Sequence, residues 1–286
     1  MKSLFTKIIL VLFLSFGSGQ LFAQLNLPRL SPNASVSQTV GYTKITVNYC
    51  RPGVKERTIW GGLVPYDKVW RTGANEATTI EFTTDVTIAG KKVPGGIYSL
   101  FTIPAKDEWT VILNKTDKQW GAFNYDMKQD FMRFKVKPSK ADFVERMLFT
   151  FKDVTDNSTT LTLSWAGLSV SFDINVDVID QVHAKIKDAL ASAKQDDWQT
   201  YASAANYAAD NNAFLDEALQ WIDKAIKIDG NFYPYFVRAK VYYAKGKYVD
   251  ALKSIENCRD AGRSSKDYDS YISQVDYLEK QIKEKM

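Results

Sequence analysis

Residues 42–49 read Tyr-Thr-Lys-Ile-Thr-Val-Asn-Tyr, and their alternation decides the first half of the fold. Thr43, Ile45, Val47 and Tyr49 fall on one side of an extended chain; Lys44, Thr46 and Asn48 fall on the other. Successive strand side chains point to opposite faces, so this run predicts a half-buried strand. The same pattern recurs outward from it in short runs: 78–84, 86–92, 97–103, 109–113, 131–136, 146–154, 159–165 and 168–176. Ala89-Gly90, Pro94-Gly95-Gly96, Asp156-Asn157 and Ala166-Gly167 carry turn residues. Many short strands with frequent turns predict an antiparallel β-sandwich or jelly-roll-like barrel.

After residue 180 the period changes. Apolar residues recur at helical spacing and alanine becomes frequent. Tyr201, Ala205 and Ala208 return 34 positions later as Tyr235, Ala239 and Tyr242; Ala218, Ile222 and Ala225 return 33 positions later as Ala251, Ile255 and Cys258. The one-residue difference falls in a turn. This period, and above all Gly246-Lys247-Tyr248-Val249-Asp250-Ala251-Leu252, resembles the tetratricopeptide repeats. Asp229-Gly230 stands where that family often has proline. The resemblance implies antiparallel helix pairs, with 181–193 and 268–285 as flanking helices. The expected fold is therefore two-domain, β + α: a β domain over 24–178 and a tetratricopeptide-like helical domain over 181–286.

The first 23 residues read as a secretory signal. Lys2 and Lys7 precede an apolar stretch over 8–16, a break at 17–20, and Leu21-Phe22-Ala23 before the expected cleavage. The apolar stretch falls short of the roughly 20 residues a bilayer span needs, and no later segment reads as a span. The expected location is periplasmic or secreted. The formal charge is +4; taking Lys2 and Lys7 from 37 basic residues leaves 35 against 33 acidic ones. A nearly neutral mature chain with interspersed signs argues against a nucleic-acid partner. Export permits a disulfide between Cys50 and Cys258, although plain packing suits both. One histidine, His183, is too few for a multi-histidine metal site.

Residues 60–76, Trp-Gly-Gly-Leu-Val-Pro-Tyr-Asp-Lys-Val-Trp-Arg-Thr-Gly-Ala-Asn-Glu, break every regular pattern. A long shaped loop rich in aromatic and charged residues is a natural place for binding. This block, with Gly90-Lys91-Lys92-Val93-Pro94, Tyr98-Ser99-Leu100-Phe101, Trp109-Thr110-Val111-Ile112-Leu113-Asn114 and Gln119-Trp120-Gly121, resembles a family of exported bacterial proteins catalogued as domain of unknown function 2911. The resemblance spans about residues 25–178. It implies the β fold and the exported location, and brings no activity, cofactor or catalytic residue. Cys50 occupies a position where serine is expected.

The candidate ligand-binding residues are Arg51, Tyr66, Trp70, Arg71, Asn75 and Glu76. Trp70, Arg71, Asn75 and Glu76 suit a polar cup beside an aromatic wall, fit for a glycan or a peptide. They suit equally a structural tie in which Arg71 or Arg51 pairs with Glu76 and Asn75 caps loop backbone. Arg51 could clamp a carboxylate; Arg57 should reach solvent. Glu76, Glu81 and Asp85 are the carboxylates a hydrolase would draw on. No nucleophile elbow, phosphate loop, dinucleotide fingerprint or zinc spacing occurs, so no cofactor and no metal is expected. Asp153–Asn157 reads as a turn before it reads as a calcium loop, and the triplets at Asn33, Asn114 and Asn157 read as chance. The expectation is an exported binding module without catalysis, with a protein partner on the helical repeats and a glycan or peptide on the β domain. The alternative is a periplasmic hydrolase of carbohydrate or peptide with Glu76 as acid or base.

Overall fold

The structure is a computed structural model that describes residues 27–286. The expected signal, residues 1–23, lies outside the described residues. β1 (Asn33–Val40) and β2 (Thr43–Cys50) form a hairpin whose two-residue turn places Gly41 at φ +55°. A side chain there would run into Val178, 2.5 Å from an added Cβ, so glycine is required twice over. β3 (Thr79–Phe82), β6 (Gly96–Ile103), β7 (Trp109–Asn114) and β8 (Asp130–Val136) extend this sheet in the order β1-β2-β3-β6-β7-β8.

The second sheet runs β10 (Leu148–Lys152), β11 (Ser158–Trp165), β12 (Leu168–Asn175), β4 (Val86–Ile88), β5 (Lys91–Val93), with β9 (Ser139–Lys140) paired to β12. All these pairings are antiparallel. Ala89-Gly90 and Ala166-Gly167 each have positive φ at both turn residues, the twist that a two-residue hairpin favours.

The inward faces of the two sheets share one core. Ile45, Val47, Leu100, Trp109 and Val111 come from the first; Ile88, Leu161, Leu163, Val170 and Ile174 come from the second. Each such side chain contributes about 1.5–3 kcal/mol of burial. Two details depart from expectation. Residues 86–92 are two short strands folded on the Ala89-Gly90 turn, not one. β1 gave no signal, because Asn33-Ala34-Ser35-Val36-Ser37-Gln38-Thr39-Val40 carries serines where β-branched residues would mark a strand.

Helices follow from residue 178: α1 (Val178–Ser192), α2 (Trp198–Asp210), α3 (Leu215–Ile228), α4 (Phe232–Ala244), α5 (Tyr248–Gly262) and α6 (Ile272–Glu284). Asp177, Asp197 and Asn231 cap α1, α2 and α4 by accepting backbone N–H bonds. α2 packs on α3 and α4, and α4 packs on α5. The small residues that recur in sequence, Ala205 and Ala239, then Ala218 and Ala251, are all fully buried and allow these close approaches. The region is all-α, and its helices pack in the manner of a repeat-like bundle. α1 sits against the β domain: Gln181 Nε2 donates to Thr43 Oγ1 at 3.0 Å and Thr84 Oγ1 at 2.8 Å. Cys50 and Cys258 are separate buried thiols, so no disulfide joins the halves.

Candidate ligand-binding site

Residues 51–78 connect β2 to β3 without a strand of their own. Isolated bridges pin this long segment: Gly53 with Arg146, Trp70 with Thr102, and Glu76 with Trp120. Thr72 is held at φ +53°, a costly conformation for a β-branched residue. Its neighbours over-determine it: its carbonyl accepts from Thr78 Oγ1 at 2.7 Å and its hydroxyl meets Thr102 Oγ1 at 3.1 Å. Beyond it, Gly121 N donates to Asn75 O and Ala77 N donates to Gln119 O, both at 2.9 Å. The end of the long loop is thereby laced to residues 119–121.

That lacing builds a cleft on the outer face of the first sheet. In antiparallel pairs, directly opposed residues share a face. Ser35, Asn48, Thr79, Ser99 and Asn114 are opposed in succession across β1, β2, β3, β6 and β7. They form an uncharged polar ladder. Its outer end floors an open cleft of about 720 Å³, walled by Glu76, Ala77, Asp117, Lys118, Gln119 and Trp120. Trp120 is 57 % exposed on the rim.

The electrostatics centre on Glu76. Arg29 Nη1 donates to Glu76 Oε1 at 2.8 Å and Oε2 at 2.7 Å. Cys50 Sγ donates to Asn33 Oδ1 at 3.0 Å and lies 3.4 Å from Glu76 Oε2. Desolvation alone would raise the Glu76 carboxyl, but its own backbone N–H, Arg29 and Cys50 outweigh it, and the group sits below its usual range. Desolvation, with the Glu76 charge beside it, pushes the Cys50 thiol up despite hydrogen bonds that favour the thiolate. This environment keeps Glu76 an anion and Cys50 a neutral thiol.

The structure scatters the other expected residues. Trp70 lies in the core, its Nε1 donating to Gly73 O at 3.1 Å and its ring among Trp60, Trp109 and Trp165. Arg51 Nε donates to the Met147 carbonyl at 2.9 Å. Tyr66 packs its ring over Gly61. Asn75, at φ +56°, donates to Ser31 O at 3.3 Å.

Arg71 is half-buried with its Nε unpartnered, and desolvation lowers its pKa. The expected pairing of Arg71 or Arg51 with Glu76 does not form; Arg29, far away in sequence, takes that place. Arg57 is exposed, as expected, and also bonds Val54 O and Gly53 O of its own loop. Of the hydrolase carboxylates, Glu81 and Asp85 lie outside the cleft lining; Asp85 ties Gly95 N and Lys92.

Arg29, Asn48 and Trp120 went unremarked as site residues. Only Trp120 carried a signal, a lone indole in the polar run 115–121. Among the described residues no group of three or more His, Cys, Asp or Glu side chains is placed to hold a metal ion. None of the described helices is long and apolar enough to cross a membrane.

A two-sheet β domain with a polar cleft, followed by an all-α region, is the class of protein that fold and site define. The chain belongs to the family described as protein of unknown function (DUF2911), which matches residues 31–174. Comparison with curated proteins and with solved structures yields no match.

Proposed function

We propose that the chain is an exported binding module: residues 24–178 form a β-sandwich that holds a glycan or peptide, and residues 181–286 form tetratricopeptide-like repeats that dock a protein. One observation carries the ligand reading, the open cleft in which an exposed indole stands over uncharged amide and hydroxyl groups. Pockets that combine an aromatic surface with a few convergent polar groups are the common form of small-ligand sites. Of the residues expected to bind ligand, Glu76 lies in the cleft lining and Asn75 holds its wall; Arg51, Tyr66, Trp70 and Arg71 support the loop that shapes it. A thermal-shift screen of the mature chain against glycan and short-peptide panels tests the reading. A ligand that raises the melting temperature in wild type and not in Glu76→Ala supports it; no shift with any member of either panel refutes it.

The hydrolase alternative draws on a second observation, that Asp117 lines the same cleft as Glu76. Against it, a general acid needs a raised pKa, and Arg29 helps hold Glu76 down. Product analysis after prolonged incubation with any ligand from the screen separates the two readings, since a binding module returns it intact.

A further inference from the structure

The ladder beneath the cleft carries unused hydrogen-bonding capacity. Among the described residues, the side chains of Ser35, Asn48 and Thr79 make no intramolecular hydrogen bond, although all three line the cleft. Further in, Ser99 is fully buried with its hydroxyl unpartnered. Gln119, 8 % exposed and also lining the cleft, has its Oε1 unpartnered.

The direction of the Gln119 amide is fixed. Its Nε2 donates to Thr116 O at 2.8 Å and to Asn114 Oδ1 at 3.2 Å, so its oxygen faces away from both. Asn114 is fixed in turn, because its Nδ2 donates to Asp126 O at 3.0 Å and Asp130 Oδ1 at 2.8 Å. Buried polar groups without partners carry a cost that a fold normally avoids, and they cluster where something else supplies the partner.

The charges around the cleft cancel. Arg29 neutralises Glu76 directly, and Asp117 stands beside Lys118 in the lining. An ionic ligand gains no net field here. Beside Trp120 the apolar lining is Ala34, Ala77, Cys50 and Tyr49, and the last two are buried, so little apolar surface is offered to a large peptide side chain. What remains is a row of groups able to donate and accept, next to an exposed indole face. A sugar ring matches both, with hydroxyls at its edge and C–H groups on its face.

We infer that the cleft takes a neutral saccharide laid across Ser35, Asn48 and Thr79, with Trp120 against the ring; this rests on the binding-module reading above. Calorimetric titration of the mature chain with neutral oligosaccharides (xylo-, malto- and cello-series) tests it, beside dipeptides and charged sugars as competitors. At least one neutral series should bind, and Trp120→Ala and Asn48→Ala should each weaken it by about tenfold or more, the scale of one lost contact. Both side chains are exposed, so melting curves of the variants should match wild type and exclude misfolding. Saccharide binding that both variants leave unchanged overturns the inference. Trp120-dependent binding of peptides or charged ligands alone overturns the saccharide and leaves the cleft reading standing. No binding by any class removes both.

Discussion

Two hydroxyl deletions close together, one in β6 and one just ahead of β3, should change stability in opposite directions. Ser99 and Thr78 are both fully buried. The Ser99 hydroxyl has no partner, whereas Thr78 Oγ1 donates to the Thr72 carbonyl at 2.7 Å. An unpaired buried hydroxyl costs about 1–3 kcal/mol, so Ser99→Ala removes a penalty. The void left is a single atom, and at about 24 cal/mol per Å³ of cavity it offsets only part of the gain. The net expectation is a stabilisation of roughly 1 kcal/mol, or about 2–4 °C in melting temperature for a domain of this size.

Thr78→Val keeps the shape and deletes a bond that is made, leaving the Thr72 carbonyl unpaired beside a strained backbone. It should cost about 1–3 kcal/mol. Scanning calorimetry of wild type and both variants reads the signs. A Ser99→Ala chain that melts lower than wild type would mean that the hydroxyl has a partner, and would refute the assignment of unused capacity to the ladder.

Three further outcomes follow from the site and the helices. In a double-mutant cycle by urea denaturation, Arg29→Ala and Glu76→Ala should couple, while Arg71→Ala and Glu76→Ala should add; the Arg29–Glu76 effect should be small because both side chains are nearly half exposed. Hydrogen bonds from Lys283 and Arg259 hold the Glu279 carboxyl below its ordinary value of 4.5. A depressed folded pKa contributes stability above the unfolded pKa that is lost as pH falls through the folded one, so the helical region should weaken below about pH 4.5, and Arg259→Ala should flatten that slope in melts followed by circular dichroism. Burial pushes the Cys258 thiol up to about 12 and Cys50 upward as well; native protein should show no fast-reacting thiol in an Ellman assay and two in denaturant, and rapid native labelling of Cys258 would contradict its burial.

The β half was legible where alternation was strong. The side chains of Thr43, Ile45, Val47 and Tyr49 do face the core, because a hydrophobic period of two permits only one register. β1 was illegible because its outer face is polar throughout: Asn33 and Ser35 line the cleft, and Ser37 and Thr39 continue the same exposed face, so no apolar signal marks the strand. In the helical half, the repeat exposed Ala218, Ile222, Ala251 and Ile255 as core, since close helix contacts tolerate only small or well-fitting residues there. The long loop was recognised as irregular, but its interior could not be read. Trp70 and Trp120 look alike in sequence, each beside polar and glycine residues, yet one is core and the other rim. What separates them is pairing with Thr102 for the first and with Glu76 for the second, and such distant pairings leave no local trace.

Glu76 pairs with Arg29 rather than with Arg71 or Arg51 for a similar cause. Arg71 is five residues from Glu76, and short loops often tie such neighbours. Here the chain between them must place Thr72 at positive φ and Gly73 against the Cys50 carbonyl, where an added Cβ would sit 3.3 Å away. That geometry turns residues 71 and 76 apart and leaves the Arg71 guanidinium half-buried. Glu76 instead faces the start of β1, where Asn33 stands and Arg29 approaches from the preceding segment; Arg29 Nη1 reaches Asn33 Oδ1 at 3.2 Å as well as the carboxylate. Arg29, ahead of β1, thus ties the cleft-lining Glu76 and Asn33 together. A chain shortened past Arg29 should keep both sheets and lose the neutral balance of the cleft, leaving Glu76 a bare anion that repels acidic ligands and Asn33 without its Arg29 hydrogen bond.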